Sequence, residues 1–260
     1  MFLRFALLFF AFTASAADRF VNIDTRPGVR VGYYLMERPD AVATLVLLPG
    51  GAGSIGLKDG VPTSGNFLVR SRDLFAAAGF DVAVVGRPSD RIELDNNFRA
   101  SADHVTDLRM VVERLRKDLG KPVWLVGTSR GTVSAAAAGA ALGPDEIAGI
   151  VLTSSVTSGS RTSPVSVFSL DLSEIRVPVL VVHHRDDGCV SCSPRDAARI
   201  VDRLSKSPSR KFILLSGGSG ARGDPCEAMH WHGYVGMEPE AVDVITGWIR
   251  NPLQERPGLS

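Results

Sequence analysis

A serine held between two glycines is the feature of this sequence best suited to chemistry. Residues 127–131 read Gly-Thr-Ser-Arg-Gly, the G-x-S-x-G pattern, and the apolar run Val-Trp-Leu-Val precedes them. An alanine-rich segment with the composition of a helix follows. A strand, a tight turn and a helix in this order lift the serine hydroxyl above a sheet at the N-terminus of the helix. The context predicts that Ser129 is a nucleophile, with simple capping of the helix as the alternative.

A serine hydroxyl becomes a good nucleophile only when a base takes its proton and an acid orients that base. Downstream, the apolar run 177–183 ends in a turn that carries Asp186 and Asp187. His230 and His232 follow in a loop just before the last helical segment. The order is serine, acid, histidine, each near the carboxyl end of a strand, where open α/β sheets bind ligands. The residues alone leave two candidates for the acid and two for the base.

A glycine-rich stretch at residues 51–56, Gly-Ala-Gly-Ser-Ile-Gly, matches the G-x-G-x-x-G fingerprint of dinucleotide sites. That fingerprint requires a helix that begins at the third glycine and carries the pyrophosphate on its N-terminus. Residues 57–65 contain two glycines and a proline, so they form a poor helix. The next predicted strand ends without an acid to bind a ribose, although Arg87 could face a 2′-phosphate. An NAD(P)-binding oxidoreductase that uses Gly51, Gly53 and Gly56 is therefore the weaker alternative.

The same glycines suit another task beside a nucleophilic serine. When serine attacks a carbonyl group, the carbonyl oxygen becomes an anion that preorganised N–H groups must stabilise. One donor is expected from the N–H of Arg130, the residue after the candidate nucleophile, and the other from the loop after the third strand. Glycines let that loop approach a substrate without interference from Cβ atoms. We expect Gly51 to supply the second donor, with Ala52 as the second choice.

Short β-branched runs alternate with longer helical segments along the chain, and this pattern must position the candidate groups. The predicted strands are Phe20–Asp24, Val29–Glu37, Ala43–Pro49, Phe80–Gly86, Pro122–Gly127, Ile147–Ser154, Val177–His183 and Arg210–Ser216. The predicted helices are Phe67–Ala78, Ser101–Leu119, Arg130–Leu142, Pro194–Ser205 and Pro239–Arg250. Two early strands followed by β-α alternation predict an α/β fold. Its doubly wound, mostly parallel sheet has about eight strands, an antiparallel N-terminal edge and helices on both faces.

The composition limits the classes of partner. The chain has 260 residues, of which 45% are hydrophobic and 22% are charged, with a formal net charge of +1. These values are typical of a globular protein with a sizeable core, and no linker divides residues 17–260, which we expect to form one domain. The near-neutral charge gives no electrostatic reason to expect nucleic acid or an anionic membrane as a partner.

Residues 1–16 have the pattern of a signal peptide. Arg4 supplies a positive charge, Phe5–Phe12 is an unbroken apolar run, and Ala14-Ser15-Ala16 is a small-residue cleavage signal. A membrane anchor is the alternative, but the run is about half of the ~20 residues that a spanning helix needs. We expect export to the periplasm or the medium, with cleavage near Ala16 and no stable membrane insertion afterwards.

These motifs together resemble the α/β-hydrolase superfamily over nearly all of residues 17–260. The resemblance rests on four stretches: Leu47-Leu48-Pro49-Gly50-Gly51, Gly127-Thr128-Ser129-Arg130-Gly131, Asp186-Asp187 and His232-Gly233-Tyr234. It implies a serine that attacks an ester, thioester or amide carbonyl without a cofactor. A carboxylic ester of a small molecule or a polymer is the expected substrate. Only about twenty residues, Thr157 to Arg176, separate the sixth and seventh strands, so little or no lid is expected.

The resemblance also chooses among the candidate acids and bases. The family's strand end reads histidine, glycine, two residues, aspartate; placed on residues 183–187, it selects Asp187, although His184 replaces the glycine. Asp186 is then a turn cap or a partner of Arg185. The family's histidine loop often reads histidine, glycine, aromatic, which selects His232 over His230. A non-catalytic binding protein that retains the fold is a further alternative.

Three cysteines lie beside the acid and histidine loops: Cys189, Cys192 and Cys226. An exported protein can form disulfides, and an odd count leaves one thiol free. Either of the first two bonded to Cys226 would tie the acid loop to the histidine loop. Three free thiols and a Cys189–Cys192 redox pair are the alternatives.

Further polar residues admit weaker interpretations. A metal site could draw on a set of histidines and aspartates, although adjacent strand residues point to opposite faces and no H-E-x-x-H spacing occurs. That set is His183, His184, Asp186, Asp187, His230 and His232. Arg70, Arg72 and Arg99 could line the site and favour an acidic substrate, or simply be solvated. His104 is expected on the surface of its helix.

Overall fold

Eight strands form one sheet at the centre of the computed structural model, which describes residues 17–160 and 163–253. They are β1 (Arg19–Arg26), β2 (Val29–Met36), β3 (Thr44–Leu48), β4 (Asp81–Pro88), β5 (Val123–Thr128), β6 (Gly149–Thr153), β7 (Val179–His184) and β8 (Arg210–Leu215). Their spatial order is β1-β2-β4-β3-β5-β6-β7-β8. β2 is antiparallel to both of its neighbours, and all other adjacent pairs are parallel. The predicted mostly parallel sheet with an antiparallel N-terminal edge is confirmed.

The central strands are apolar because helices cover both of their faces. Every residue of β3, β5, β6 and β7 is buried. Strands covered on both sides have continuous rather than alternating apolar sequences, which is why these four were recognisable. The carboxyl ends of the parallel strands meet at one edge, where the candidate groups lie.

The described part of the chain contains seven α-helices, several of them single turns. They are α1 (Phe67–Arg70), α2 (Arg72–Ala77), α3 (Asn96–Arg99), α4 (Ala102–Leu119), α5 (Gly131–Ala141), α6 (Pro194–Ala197) and α7 (Glu238–Arg250). The first predicted helix is interrupted at Ser71, and the fourth continues after α6 as a 3₁₀ helix, Ala198–Arg203. The other three predicted helices agree with the structure to within one residue at each end.

The helices form two layers. α4 and α5 pack on one face of the sheet, through residues that include Leu108, Val112 and Val133. α1, α2 and α7 pack on the other face, through residues that include Phe75 and Ile245. Residues 131–139 of α5 are all buried. Small alanine side chains let this helix lie close to the sheet, so that its N-terminus is fixed directly above β5.

Two short elements were not predicted from the sequence. Residues Leu57–Lys58 pair with Val61–Pro62 in a small hairpin after the glycine loop. α3 is a single turn whose N-terminus is capped by Asp95, which accepts a 2.9 Å hydrogen bond from the N–H of Phe98. It matters because it carries Arg99 towards the glycine loop.

The expected signal peptide, residues 1–16, lies outside the described residues. Within the described part, none of the helices has the length and hydropathy needed to cross a bilayer. Residues 157–176, between β6 and β7, contain two short 3₁₀ helices in their described part, Val167–Ser169 and Leu172–Glu174. No large helical lid can be built from so short a connection.

Candidate active site

Ser129 lies in the turn between β5 and α5, with a backbone φ of 52°. A non-glycine residue rarely adopts this left-handed conformation, so the surrounding structure must hold it there. The Ser129 N–H donates to the carbonyl of Thr153 on β6 at 3.0 Å. Its own carbonyl accepts from the N–H and the hydroxyl of Thr132 at 2.9 and 2.6 Å. These bonds fix the turn on both sides of the serine.

The turn is possible because its neighbours have no side chains. A Cβ atom at Gly131 would lie 2.0 Å from the carbonyl oxygen of Leu48, and one at Gly127 would lie 2.3 Å from the Gly131 carbonyl oxygen. Both obstacles are backbone atoms that cannot move aside. The G-x-S-x-G pattern therefore has a steric cause: the strand, the turn and the helix approach more closely than a side chain allows.

Asp187 and His232 form a buried hydrogen-bonded pair. The Nδ1 atom of His232 lies 2.8 Å from Oδ2 of Asp187, and both side chains are almost completely buried. Asp187 follows β7, and its Oδ1 accepts from the N–H of Cys189 at 3.0 Å. In a neutral ring whose Nδ1 donates to this carboxylate, Nε2 is the unprotonated nitrogen. That atom is buried and forms no hydrogen bond with a described residue.

His183 is a second partner of Asp187 that sequence reasoning did not assign. Its Nε2 atom lies 3.1 Å from Oδ2 of Asp187 and 3.0 Å from the carbonyl oxygen of Cys192. Burial alone would raise the pKa of Asp187, but the hydrogen bonds from His183 and His232 lower it to about 2. The carboxylate is therefore ionised at neutral pH and oriented by two imidazole rings.

The other members of the candidate pairs lie elsewhere. Asp186 is exposed and pairs with Arg185, with 3.3 Å between Oδ1 and Nε. His230 packs edge-on against Trp231, and its side chain forms no hydrogen bond with Asp187 or His232. His184, in the place of the family's glycine, stacks on the Trp231 ring with the planes 7° apart. The structure thus does not gather the six side chains considered for a metal site.

The histidine loop is held from three directions. The Ser154 hydroxyl donates to the carbonyl of His232 at 2.8 Å. Tyr234, fully buried, donates its hydroxyl to the carbonyl of Val182 on β7 at 2.9 Å and packs against the Phe67 ring. A disulfide between Cys189 and Cys226 joins the acid loop to the segment before the histidine. Of the pairings left open by the sequence, this is the one present.

Cys192 is the free cysteine, and it lies inside the site. Its sulfur, the sulfur of Cys189 and a ring nitrogen of His232 are all within 4.8 Å of one another. Because Cys189 is already bonded to Cys226, this group offers a metal at most two free ligands. Burial raises the pKa of the Cys192 thiol, and nearby Asp187 raises it further, although a hydrogen bond with the Ser129 hydroxyl acts in the opposite sense.

The glycine loop after β3 lies directly against the serine turn. A Cβ atom at Gly50 would lie 2.7 Å from Cβ of Ser129. The carbonyl of Gly50 accepts from the N–H of Gly53 at 3.1 Å, and the carbonyl of Ala52 accepts from Leu94 at 3.0 Å. The N–H groups of Gly51, Ala52 and Arg130 donate to no backbone carbonyl of the described residues.

Arg99 fixes this loop from below. It was expected at the surface or lining the site, but only 1% of it is exposed, because α3 places it beneath the loop. Its guanidinium donates to the carbonyls of Pro49 at 3.1 Å and Gly51 at 3.3 Å. It also donates to the carbonyl of Leu94 and to the hydroxyl of Ser134. Burial lowers the pKa of Arg99 to about 9, so the group stays charged at neutral pH.

The hydrogen bond to the Gly51 carbonyl also fixes the direction of the next N–H group, because the peptide bond is planar. The carbonyl and the following N–H of a trans peptide point opposite ways. Since the Gly51 carbonyl is turned down towards Arg99, the Ala52 N–H points away from Arg99, on the side of the cavity that Ala52 lines.

The expectation for His104 was also wrong. It is buried, and its Nε2 atom lies 2.9 Å from the Ser134 hydroxyl oxygen, which accepts a bond from Arg99. Burial, with the nearby charge of Arg99, lowers the pKa of His104 to about 3, so the ring is neutral. Arg70 and Arg72 do not line the site either: Arg70 bonds to Glu238, and Arg72 bonds to the carbonyl of Val69.

One cavity, called here the large cavity, brings the candidate groups together. It has a volume of about 1000 Å³ and is lined by Ser129, His232, Gly51, Ala52 and Arg130 among others. The rest of the lining mixes polar and apolar residues. The polar ones include Ser54, Ser64, Asn66, Glu93, Asp95, Asn96, Ser158, Ser163, Ser191 and Glu227, and the apolar ones include Phe67, Val156, Ala228 and Met229.

The helix that a dinucleotide fingerprint requires is not at the third glycine. Residues after Gly56 form the small hairpin, and the first helix begins at Phe67. The Gly56 N–H bonds instead to the Ser54 hydroxyl at 3.4 Å.

Comparisons with known proteins identify the fold. No protein-family model and no curated protein sequence matches the chain. Among solved structures, an esterase of Pyrococcus furiosus is 13% identical with a TM-score of 0.67, covering 95% of this chain and 96% of its own. A dienelactone hydrolase of Anabaena variabilis is 15% identical with a TM-score of 0.62, covering 91% and 98%. An α/β serine hydrolase without a lid, from Xanthomonas campestris, is 17% identical with a TM-score of 0.57, covering 92% and 97%. The chain therefore has the α/β-hydrolase fold.

Proposed function

We propose that this chain is a serine hydrolase that cleaves a carboxylic ester or a related acyl bond through Ser129, His232 and Asp187. The observation that supports it most is the buried Asp187–His232 hydrogen bond in a cavity shared with a serine held at positive φ. A nucleophile, a base and a group that orients the base are the parts that acyl transfer needs. The fold shared with esterases and serine hydrolases agrees with this proposal.

The reaction begins with attack of the Ser129 oxygen on the acyl carbon. The serine hydroxyl gives its proton to Nε2 of His232, the ring nitrogen that forms no hydrogen bond with a described residue. Asp187, ionised because of its low pKa, accepts the Nδ1 proton in a hydrogen bond and stabilises the imidazolium. His232 then protonates the leaving alcohol, and a water molecule activated by the same nitrogen hydrolyses the acyl-enzyme.

The negative charge on the carbonyl oxygen is stabilised by backbone N–H groups. Arg130 supplies one N–H at the start of α5, and the glycine loop supplies the other. Gly51 and Ala52 are the candidates within that loop, and the downward turn of the Gly51 carbonyl favours Ala52. Arg99 is a positioning residue in this scheme, because it holds the Pro49 and Gly51 carbonyls on the side away from the substrate.

The lining of the large cavity favours a polar, uncharged substrate. Serine and asparagine side chains form much of its polar wall, together with the carboxylates of Glu93, Asp95 and Glu227, while Phe67, Val156, Ala228 and Met229 form apolar parts. Arg130 adds a positive charge, but its guanidinium is paired with Glu93 at 2.8 Å. A hydroxyl-rich ester can satisfy these groups, whereas a long acyl chain would bury them without partners. An acidic acyl group would meet like charges.

We further propose that the protein is exported and that residues 17–260 form one hydrolase domain. The Cys189–Cys226 disulfide agrees with an oxidising compartment. The same compartment makes the nicotinamide alternative less attractive, and the hairpin after Gly56 offers no helix N-terminus for a pyrophosphate.

Hydrolysis of a panel of p-nitrophenyl esters tests the proposal. The wild-type chain should release p-nitrophenol from short acyl esters, and Ser129→Ala should reduce kcat at least about 10³-fold. Ser158→Ala is the matched control, because Ser158 lines the same cavity without contacting the proposed base. Absence of turnover in wild type, together with micromolar binding of NAD(P), would support the oxidoreductase alternative instead. Absence of both would favour a binding protein.

A further inference from the structure

A second depression, of about 450 Å³, adjoins the large cavity. Its floor includes Gly32 of β2 and Gly86 of β4, which leave it unfilled, and its walls include the Phe20 ring and Ile55. Ser54, in the glycine loop, lines both spaces. A ligand can therefore lie in this depression while the adjoining cavity is also occupied.

Three arginines, Arg30, Arg87 and Arg91, line this space, which we call the arginine depression, and none of its lining residues is acidic. Arg87 is half-buried. Neither Arg87 nor Arg30 has a side chain that forms a hydrogen bond or ion pair with a residue in the described ranges. Asp24 faces Arg30 across the β1–β2 ladder without pairing with it. Arg91 pairs with Asp90 at 3.8 Å and lies over the Phe98 ring, 4.2 Å from its centroid, and the Asp90 carboxylate also binds Arg26.

Arginine side chains that line one concave space create a site of positive potential, and binding an anion lowers its electrostatic free energy. A guanidinium presents paired N–H donors that match two oxygens of a carboxylate, phosphate or sulfate. Arg87 is half-buried in the concave wall, which reduces its contact with water and strengthens such a bond relative to one on an open surface, whereas Arg30 and Arg91 are exposed. Asn22 and Ser89 add neutral polar groups to the lining.

The two adjoining spaces differ in charge. The large cavity is lined by the carboxylates of Glu93, Asp95 and Glu227, whereas the arginine depression has only basic and neutral groups. An anionic group is therefore directed to the depression and away from the cavity. This difference does not depend on whether Ser129 is a nucleophile.

We propose that the arginine depression binds an oxyanion group, such as a carboxylate, phosphate or sulfate, through Arg87 and Arg30 with support from Arg91. The apolar wall formed by Phe20 and Ile55 accommodates the carbon-containing part of the ligand that carries this group. This binding site is separate from the acyl chemistry of the proposed hydrolase.

Titration of the ¹⁵N-labelled full-length chain with phosphate, sulfate or acetate, at constant ionic strength set by sodium chloride, tests this site. We expect saturable shifts of NMR signals near Arg30, Arg87 and Arg91, with a millimolar Kd for at least one oxyanion. Arg87→Gln should weaken binding by about fivefold or more, because it removes one full charge at contact distance. Arg199→Gln, which makes the same charge change at an exposed position outside both spaces, should leave Kd unchanged.

Ser129→Ala should bind the same oxyanion with the wild-type Kd, so the result is independent of catalysis. Three outcomes would overturn the proposal: no saturable shift with any of the three anions up to about 50 mM, shifts that are equal over all basic surfaces, or equal weakening by Arg87→Gln and Arg199→Gln. Preference for one of the three oxyanions would support the proposal and identify the chemical group.

Discussion

Replacing Arg99 with methionine removes the guanidinium that holds the glycine loop while filling a similar volume. Two of its hydrogen bonds reach that loop, to the carbonyls of Pro49 and Gly51. Hydrogen bonds to a charged donor contribute about 1.5–3 kcal/mol each, so the orientation of the loop depends on several kcal/mol from one side chain. Without them the Gly51–Ala52 peptide is free to turn.

We expect Arg99→Met to lose stabilisation of the transition state rather than affinity for the substrate. Removing one oxyanion donor costs about 3 kcal/mol of transition-state stabilisation, or about 100-fold in rate. We expect Arg99→Met to reduce kcat by about 100-fold for a short p-nitrophenyl ester. KM should change little, because the ground-state carbonyl makes little use of these donors. Affinity for a boronic acid inhibitor, which places an oxyanion in the site, should fall by a similar factor.

The effect on stability is expected to be smaller, because two costs oppose each other. The variant no longer buries a charge that has no carboxylate among its hydrogen-bond partners. It also leaves the acceptors around Arg99 without their donor, at about 1–3 kcal/mol for each that stays unsatisfied. Circular dichroism and urea unfolding should therefore show a folded protein under assay conditions.

Two controls sharpen the test. Arg72→Met changes an arginine that bonds to the carbonyl of Val69, pairs with Asp73 at 3.8 Å and lies over the Tyr34 ring, so kcat should stay within about twofold. Arg99→Lys retains the charge and part of the donor set and should lose less activity than Arg99→Met. A folded Arg99→Met protein with kcat within about threefold of wild type would refute the positioning role.

The same site gives four further predictions. Asp187→Asn should lower kcat by about 10³-fold or more, whereas exposed Asp186→Asn should leave it nearly unchanged, and steady-state kinetics of the two variants would separate them. Because its native pKa is lowered from 3.8 to about 2, Asp187 contributes about 2 kcal/mol of stability above pH 4 that is lost as the pH falls towards 2. Urea titrations between those values should therefore give a flatter pH dependence for Asp187→Asn. Cys226→Ser opens a disulfide that spans 37 residues, and urea unfolding should show a loss of about 4 kcal/mol. The Cys192 thiol, buried and with a raised pKa, should resist iodoacetamide in the native protein and react once guanidinium unfolds it; rapid native labelling would contradict its burial.

Local patterns predicted the sheet and the serine turn well. The strands of the parallel sheet are continuous apolar runs, and Gly127 and Gly131 have a steric role that is readable from their spacing around the serine. The order of motifs also indicated that one edge of the sheet would collect the candidate residues. These features depend on neighbours in the sequence or on general rules of sheet topology.

The supports of the site were missed because they depend on contacts between distant residues. Arg99 contacts Pro49 and Gly51 across about fifty positions of sequence, and it is carried by a single-turn helix too short to show periodicity. His104 was a different error. It stands four residues before Leu108 on the buried stripe of α4, so its spacing did indicate burial. The polar face of α4 suggested an exposed position, but His104 lies on the opposite, buried face.

Disulfide pairing could not be decided from the sequence, since Cys189 and Cys192 are three residues apart and both lie near the histidine loop. The turn after β7 directs Cys189 to Cys226 and leaves Cys192 facing the serine. Likewise, the contact of His183 with Asp187 required the conformation of that turn. The sequence indicated which strands and loops carry these residues, but not the direction in which each side chain points.

The central claim is that Ser129 is the nucleophile, and covalent labelling tests it most directly. The full-length chain is treated with a fluorophosphonate, digested, and examined by tandem mass spectrometry. We expect one phosphonylated site, Ser129, with labelling abolished in Ser129→Ala and strongly slowed in His232→Ala. A label on another residue, or labelling that persists in Ser129→Ala, would contradict it.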